Sequence, residues 1–183
     1  MFRYSSLLIP ILFVACSGRD ETDTEAVMTD TTPSPMAVTR ASASMRDASG
    51  RDLGSLLLTE SDSGIQVTGR ITGLAQGERG IHLHTVGNCS PTFEAAGGHW
   101  NPEGRQHGHD NSAGPHRGDL LNLQVQSDSA GSFTAFTHGG RLDELLDVDG
   151  ASVVIHAGAD DYRTDPDGNS GERIACGVVK ALP

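Results

Sequence analysis

Two histidines, His82 and His84, lie two residues apart in the short apolar segment IHLHT. Residues at this spacing in a β-strand point to the same face, so the two imidazoles would project side by side while Leu83 turns into apolar packing. Two neighbouring imidazole nitrogens can bind one metal ion, but an HxH pair on a strand is by itself more often incidental. A metal site therefore needs further ligands from elsewhere in the chain.

Further candidate ligands occupy a limited part of the sequence, because all eight histidines lie between residues 82 and 156. His156 ends the apolar run VVIH, whereas His99, His107 and His116 fall in a glycine-rich stretch that Asp119 follows. Three imidazoles and one carboxylate would hold zinc in a four-coordinate site, with each ligand atom about 2.0–2.2 Å from the ion. Such a closed site is structural, and its binding energy would order a loop that has little apolar core of its own.

From residue 36 onward, about eight short segments alternate apolar and polar residues with the period of two that is typical of β-strands. They are AVTRASASM, LGSLLLTE, GIQVTGRITGL, IHLHT, DLLNLQVQS, GSFTAFT, ASVVIHA and ACGVVKAL. Only RLDELLDVDG, residues 141–150, could hold a helical turn. This pattern predicts an all-β fold in which antiparallel strands form a barrel or a sandwich.

Two segments fit no strand: a long loop at residues 87–118 and a second loop at residues 158–172. Unstructured segments of this length in a compact domain are usually either functional or disordered. The long loop contains four of the eight histidines, so something must order it if those histidines have a function.

The composition limits the classes of protein that the chain can belong to. Its 183 residues, 36 % of them hydrophobic, suffice for one ordinary domain and a tail. Few residues are aromatic, 4 %, and 23 are glycine, which disfavours a helical bundle and suits short strands with tight turns. The net charge of −11 argues against nucleic acid as a partner, because phosphate binding needs clustered Lys and Arg.

Residues 1–15 have the features of a signal peptide, with one positive charge in MFRY followed by the apolar run LLIPILFVA. The run is too short to cross a bilayer as a helix, which needs about 20 residues. The segment LFVAC resembles the lipobox of bacterial lipoproteins, in which the cysteine, here Cys16, is lipidated and becomes the mature N-terminus. The alternative is an ordinary cleaved signal with an incidental cysteine.

Residues 16–35 comprise this cysteine and a polar, acidic segment that is rich in Thr, Ser and Pro. We expect them to form a disordered tether that holds the domain, residues 36–183, near a membrane; a plain disordered leader without an anchor is the alternative. These features predict an exported protein of the periplasm or cell envelope. Ser17 after the cysteine weakly favours the outer membrane, by resemblance to lipoprotein sorting patterns.

Several separated motifs follow one another along the domain: HLH, GGHWNP, HG, HRGD, HAGAD and GERIACGV. Their order and spacing resemble those of the copper/zinc superoxide dismutase family, from about residue 40 to residue 183. The resemblance implies an eight-stranded antiparallel Greek-key barrel, sandwich-like in its packing, with long metal-binding and active-site loops.

The same resemblance implies one copper and one zinc ion in each subunit. The copper ligands would be His82, His84, His99 and His156, and the zinc ligands would be His99, His107, His116 and Asp119. His99 would serve both ions, because the two nitrogens of one ring point in opposite directions. Asp160 matches a carboxylate that links a copper-binding histidine to a zinc-binding one and thereby fixes ring tautomer and orientation.

Three further expectations rest on the resemblance. Arg173 corresponds to an active-site arginine that would position a small anion beside copper, with a surface salt bridge as the alternative role. Cys89 would form a disulfide with Cys176, which persists in a compartment beyond an export signal. His109 and His138 have no counterpart among the ligands, and we expect them to be surface residues.

The implied activity is that of a superoxide dismutase, which converts two superoxide anions and two protons to dioxygen and hydrogen peroxide by Cu(II)/Cu(I) cycling, with a structural zinc. His99 would also carry a proton in this reaction. The alternatives are a non-catalytic exported lipoprotein that buffers copper and zinc, and a purely structural domain. No copper ligand is replaced and Arg173 is present, which favours the enzyme.

The chain departs from the family pattern at a few positions. Thr85 stands where an acidic residue often follows the second copper histidine, and Leu121 stands where many relatives have proline. Before Arg173, the second loop holds only Arg163 as a positive charge, so long-range steering of an anion is expected to be weaker than in relatives with lysines there. The sequence leaves the oligomeric state open, and a homodimer is compatible with it.

Overall fold

Nine strands and two short helical turns make up the regular structure of residues 38–183, which are the residues that the computed structural model describes. The strands are β1 (Arg40–Asp47), β2 (Asp52–Ser61), β3 (Gly64–Thr72), β4 (Gly77–Arg79), β5 (Ile81–His84), β6 (Leu123–Val125), β7 (Ala130–Phe136), β8 (Ser152–His156) and β9 (Arg173–Ala181). A 3-10 turn spans Phe93–Ala96, and the helix α1 spans Leu142–Leu145.

The predicted signal peptide, residues 1–15, and the predicted lipidated tether, residues 16–35 with Cys16, lie outside the described residues. Within the described part of the chain, neither helical turn has the length and apolarity that a membrane-crossing helix needs.

Seven strands form one antiparallel sheet in the order β5-β8-β9-β1-β2-β3-β7, and β4 pairs with β6 in a small second sheet. The prediction of an all-β antiparallel fold is confirmed. Each of the eight predicted segments contains a strand, and the ninth strand, β4, has only the residues GER and therefore no apolar alternation that could mark it. The predicted helical turn within residues 141–150 is α1.

Alternating side chains along the strands supply the core. β1 buries Ala41, Ala43 and Met45, while the residues between them are more exposed. Strands of both sheets contribute to a single apolar cluster, which includes Leu56 of β2 and Leu123 of β6. Since burying this apolar surface is favourable, the sheet curls around it into a half-barrel.

The strands β5 and β8 differ from β1 in being buried on both faces. On one face Leu83 of β5 and Val153 of β8 lie in the main core. The opposite face, which carries the histidines of β5 and β8, is covered by the two loops. The antiparallel pair β5–β8 therefore presents a rigid row of imidazoles inside the protein.

The long loop is attached to β5 by backbone hydrogen bonds that extend the sheet. Leu83 N–H donates to the carbonyl oxygen of Gly118 at 2.9 Å, and Trp100 N–H donates to the carbonyl oxygen of Leu83 at 2.8 Å. Gly118 is needed at this contact, because a Cβ there would lie 2.4 Å from the carbonyl oxygen of Leu83. These bonds bring the segments around residues 99 and 118 against the histidine-bearing face of β5.

Candidate metal centre

Four buried histidines from three parts of the fold converge on one point. His82 and His84 come from β5, His156 comes from the end of β8, and His99 comes from the long loop. One nitrogen of each ring lies within 4.8 Å of the corresponding nitrogens of the other three. We call these four residues the first cluster.

Hydrogen bonds fix which nitrogen of each ring is free. His84 Nδ1–H donates to the carbonyl oxygen of Gly97 at 2.9 Å, and His156 Nδ1–H donates to that of Gly171 at 3.0 Å. A neutral imidazole has a single N–H, so the other nitrogen of each ring presents a lone pair.

The free nitrogens are His82 Nδ1 and Nε2 of His84, His99 and His156, and each is buried without a hydrogen-bond partner in the described part of the chain. Buried polar atoms are normally paired, so four unpaired lone pairs aimed at one point fit a bound metal ion. An all-imidazole set suits copper as well as zinc.

A second cluster consists of His99, His107, His116 and Asp119, all buried. Asp119 Oδ1 lies 2.9, 3.0 and 3.2 Å from Nδ1 of His99, His107 and His116 respectively, and the Nδ1 atoms of His99 and His116 are 3.4 Å apart. Ligand atoms at zinc–ligand distances in a tetrahedral site would be separated by about 3.3 Å. His107 Nδ1 makes no hydrogen bond despite its closeness to Asp119, because the two atoms converge on a shared point instead of facing each other. The second cluster therefore fits a four-coordinate zinc ion.

His99 belongs to both clusters through different ring atoms. Its Nδ1 faces the second cluster, and its Nε2 is one of the four unpaired nitrogens of the first cluster. The rings of His99 and His82 lie close together, with centroids 4.0 Å apart and planes tilted by 32°. Two ions held at the two clusters would share this ring.

Asp160 connects the two clusters through the ring nitrogens that do not face the candidate metal positions. Its Oδ2 accepts a hydrogen bond from His82 Nε2 at 2.8 Å, and its Oδ1 accepts one from His107 Nε2 at 3.0 Å. Gly168 packs against this carboxylate with φ +65°, and a Cβ there would lie 2.0 Å from Asp160 Oδ1. The geometry matches the linking role that the sequence resemblance predicts for Asp160, because the free Nδ1 of each ring is left for a metal.

Burial keeps the first cluster neutral. It lowers the pKa of His82 to about 3, with a further contribution from the neighbouring His99. Burial likewise lowers the pKa of His84, His99 and His156. Neutral imidazole is the form that binds metal, so these rings are prepared as ligands at neutral pH.

The second cluster has the opposite electrostatic character. Burial disfavours the charged form of His107, but the nearby carboxylates of Asp119 and Asp160 outweigh it and raise the pKa of this ring to about 9. Burial also opposes ionisation of Asp119, yet its contacts with His107, His116 and His99 hold its pKa well below the usual range. The site thus stabilises positive charge between two ionised carboxylates, and a divalent cation would supply that charge.

Arg173 stands at the mouth of the cleft that leads to the first cluster. This cleft, ≈ 430 Å³ in volume, is lined by His99, His156 and Arg173 among others. The guanidinium donates to the carbonyl oxygens of Phe93 and Gly97, both at 2.9 Å, and its Nε lies 3.5 Å from Glu94. Because Glu94 is exposed, the surface salt bridge is weak, and the guanidinium is held facing the cleft by the two carbonyls.

The disulfide between Cys89 and Cys176 is present, with Cα atoms 5.9 Å apart. It joins the start of the long loop to β9 and packs against Ala96 and Val154. The same loop segment supplies the carbonyl groups that Arg173 and His84 contact, so the disulfide supports the wall of the cleft.

Some functional contacts had no signal in the sequence. The carbonyl oxygens of Gly97 and Gly171 orient two rings of the first cluster, and a backbone carbonyl leaves no trace in residue type. Asp165 accepts a hydrogen bond from the backbone N–H of His107 at 2.6 Å, and it is only one of several acidic residues in the second loop. Such partners are identified by the fold alone.

The remaining predicted residues lie outside the clusters. His138 is exposed, as expected, but His109 is half-buried and contacts it. Leu121 is exposed, and Arg163 pairs with Asp110 at 3.1 Å, which offsets the one added positive charge of the second loop.

Known proteins resemble the chain in sequence and in structure. A family model described as copper/zinc superoxide dismutase (SODC) matches residues 53–179. A relative named superoxide dismutase (Cu-Zn) 2, from Aquifex aeolicus, is 38 % identical over 149 residues, which cover 77 % of this chain and 86 % of the relative.

Two solved structures share the fold. A superoxide dismutase-like protein from Bacillus subtilis has a TM-score of 0.71 at 35 % identity, covering 75 % of this chain and 96 % of that one. The Cu/Zn superoxide dismutase from Brucella abortus has a TM-score of 0.67 at 28 % identity, covering 77 % of this chain and 99 % of that one.

Proposed function

Because the chain belongs to the copper/zinc superoxide dismutase family, whose metals are copper and zinc, we propose that it is an active superoxide dismutase. The observation that carries this proposal is the set of four buried, unpaired imidazole nitrogens that face one point beside Arg173. His82, His84, His99 and His156 would hold copper, and His99, His107, His116 and Asp119 would hold zinc.

Copper bound at the first cluster would supply one-electron redox chemistry at a site that has no thiolate ligand. The protein's own residues would bind the anion and supply protons. Arg173 offers a fixed positive charge at the cleft, where it would attract and orient a small anion such as superoxide. His99 Nε2 has no partner in the described residues, so it would carry the single proton of the neutral ring whenever a metal engages only Nδ1. Peroxide formation consumes two protons, and His99 lines the cleft in which they are needed.

The second cluster would have a structural role. It is closed by four protein ligands, and it connects the long loop to the body of the protein at residues 99, 107, 116 and 119. Zinc there would hold the shared ring and the loop that supports Arg173.

A non-catalytic metal buffer is the rival function, and one solved relative is itself described only as dismutase-like. Loading the purified domain with one copper and one zinc, verified by metal analysis, separates the two functions. We expect the loaded protein to accelerate superoxide decay in a stopped-flow assay, and the same protein with zinc alone to be inactive. A copper-loaded protein without activity would leave only the buffer.

We also propose that the domain is exported and anchored to a membrane through lipid on Cys16, with the outer membrane weakly favoured. The support is the residue pattern of residues 1–35. Growth of an expressing bacterium with labelled palmitate should label the protein, and Cys16→Ser should abolish the label. Equal labelling of the variant would refute the anchor.

A further inference from the structure

Two histidines outside both clusters, His109 and His138, lie in contact where the long loop meets the turn after β7. His138 Nε2 is 2.9 Å from His109 Nδ1, although the two residues are 29 positions apart. Their ring centroids are 4.8 Å apart. Neither residue belongs to either cluster, and no sequence motif pointed to them as a pair.

The backbone on both sides of His109 is fixed. Gly108 N–H donates to Asp119 Oδ2 at 2.9 Å, and Asp110 N–H donates to the carbonyl oxygen of Tyr162 at 3.0 Å. Nε2 of His109 is buried and has no partner in the described residues, whereas Nδ1 faces His138 and would bind an ion that takes the place of their hydrogen bond.

The backbone around His138 is fixed as well. Thr137 N–H donates to the carbonyl oxygen of Ile65 at 3.0 Å, and Gly139 N–H donates to that of Thr137 at 3.0 Å. Both rings therefore start from backbone positions that the fold determines, and little freedom remains beyond the side-chain torsions.

We propose that His109 and His138 form a third, exposed binding site for a borderline divalent cation such as Zn(II), completed by water. The 2.9 Å contact is a hydrogen bond between the two rings, and a tetrahedral zinc ion with both nitrogens about 2.0–2.1 Å away would replace it with a separation of about 3.3 Å. The exposed ring of His138 can turn to direct its Nε2 lone pair to the same ion, and its exposure leaves the other coordination positions to solvent. Imidazole suits Zn(II), Cu(II) and Ni(II).

The electrostatic environment of His138 agrees with this role. Partial burial and the neighbouring His109 lower the pKa of His138, which favours its neutral, metal-binding form. An ion here would link the long loop to the turn after β7, and it would do so whether or not the protein is an enzyme.

Zinc is the probe that tests the site, because it cannot compete for a second cluster that already holds zinc. Protein loaded with one copper and one zinc is dialysed against Zn(II) and analysed for both metals. We expect one additional zinc per chain in the wild type and none in His138→Ala, with the inner copper and zinc unchanged in both. Thr134→Ala, an exposed change on β7, should retain the additional zinc.

Chemical modification gives a second readout that needs no uptake measurement. Zn(II) should protect His138 from diethylpyrocarbonate, as followed by peptide mass spectrometry of the loaded protein. The proposal is overturned if the wild type takes up no additional zinc, if His138→Ala takes up as much, or if zinc leaves the modification of His138 unchanged.

Discussion

At the scale of single residues, Arg173 is a side chain whose direction is set by the fold. Its two hydrogen bonds to the carbonyl groups of Phe93 and Gly97 use part of the guanidinium and orient the rest toward the cleft. A flexible surface arginine would lack this constraint, and Arg163, exposed and paired with Asp110, is such a residue.

Replacing Arg173 by Ala should therefore lower the rate of superoxide decay roughly 10–100-fold, the effect of losing one or two charge-assisted hydrogen bonds to the anion. Arg173→Lys should be intermediate, because an ammonium keeps the charge without the planar donors. Stopped-flow rates at matched copper and zinc content measure the effect. Arg163→Ala is the control, and an equal loss in both alanine variants would contradict the assigned role.

The carboxylate of Asp160 sets the tautomer of one ring in each cluster. In Asp160→Asn one oxygen becomes an NH2 group, which cannot accept a hydrogen bond, so either His82 or His107 loses its acceptor. We expect metal affinity to fall roughly 10–100-fold in competition with a chelator of known affinity. The matched control is Asp161→Asn, because Asp161 is an exposed neighbouring carboxylate that accepts a hydrogen bond from Thr164. Unchanged affinity in Asp160→Asn would show that the link is dispensable.

At the scale of elements, the long loop depends on metal more than on apolar packing. Between residues 97 and 119, Trp100 is the one large apolar side chain that is buried. Removal of zinc should therefore loosen this segment while β1, β2 and β3 stay ordered. Hydrogen exchange of verified zinc-free protein should show faster exchange in residues 97–119 only. Equal protection with and without zinc would contradict a structural zinc.

The disulfide fixes the other end of the same loop. It closes a segment of 87 residues, and the chain-entropy model gives about 4–5 kcal/mol for a loop of this size. The double variant Cys89→Ser/Cys176→Ser should lower the free energy of unfolding by that amount in urea titrations. Reduced wild-type protein should behave like the variant. A loss below about 1 kcal/mol would show that the bond only replaces contacts that the loop already makes.

Sequence reasoning succeeded for elements and failed for contacts that need the tertiary structure. His82 and His84 alternate with apolar residues in IHLH and His156 ends the apolar run VVIH, so their placement on strands was predictable. The contact of His109 with His138 was not, because the residues lie on different segments and neither has a periodic neighbour pattern. The sequence did not predict β4 for a similar reason, since one glycine and two charged residues have no apolar alternation to detect.

At the scale of the whole molecule, acid should destabilise the metal-free protein. Burial lowers the pKa of His82 to about 3 in the folded state, against 6.5 in the unfolded chain, and it lowers the pKa of the other first-cluster histidines too. Below pH 6.5 the unfolded chain therefore binds more protons than the folded one, and the free energy of unfolding falls as the pH falls.

His107 acts in the opposite sense, because its pKa is raised to about 9. Its contribution to the free energy of unfolding is fully present below pH 6.5 and is lost as the pH rises through about 9. The four first-cluster histidines with lowered pKa outnumber it, so acid lowers the net free energy of unfolding. Urea titrations at pH 7.5 and pH 5 should show this loss for metal-free protein, and a smaller one for protein that still holds copper and zinc. Metal-free protein that is more stable at pH 5 would contradict the argument.

The covalent ring closed by Cys89 and Cys176 also has a consequence for resistance to proteolysis. His99, Asp119 and Asp160 all lie inside it, as do the exposed tips of both loops. A protease that cuts the backbone once at such a tip leaves two pieces that remain joined through sulfur. A nicked molecule would therefore keep its imidazoles within one covalent unit, and a single scission would not by itself disperse them.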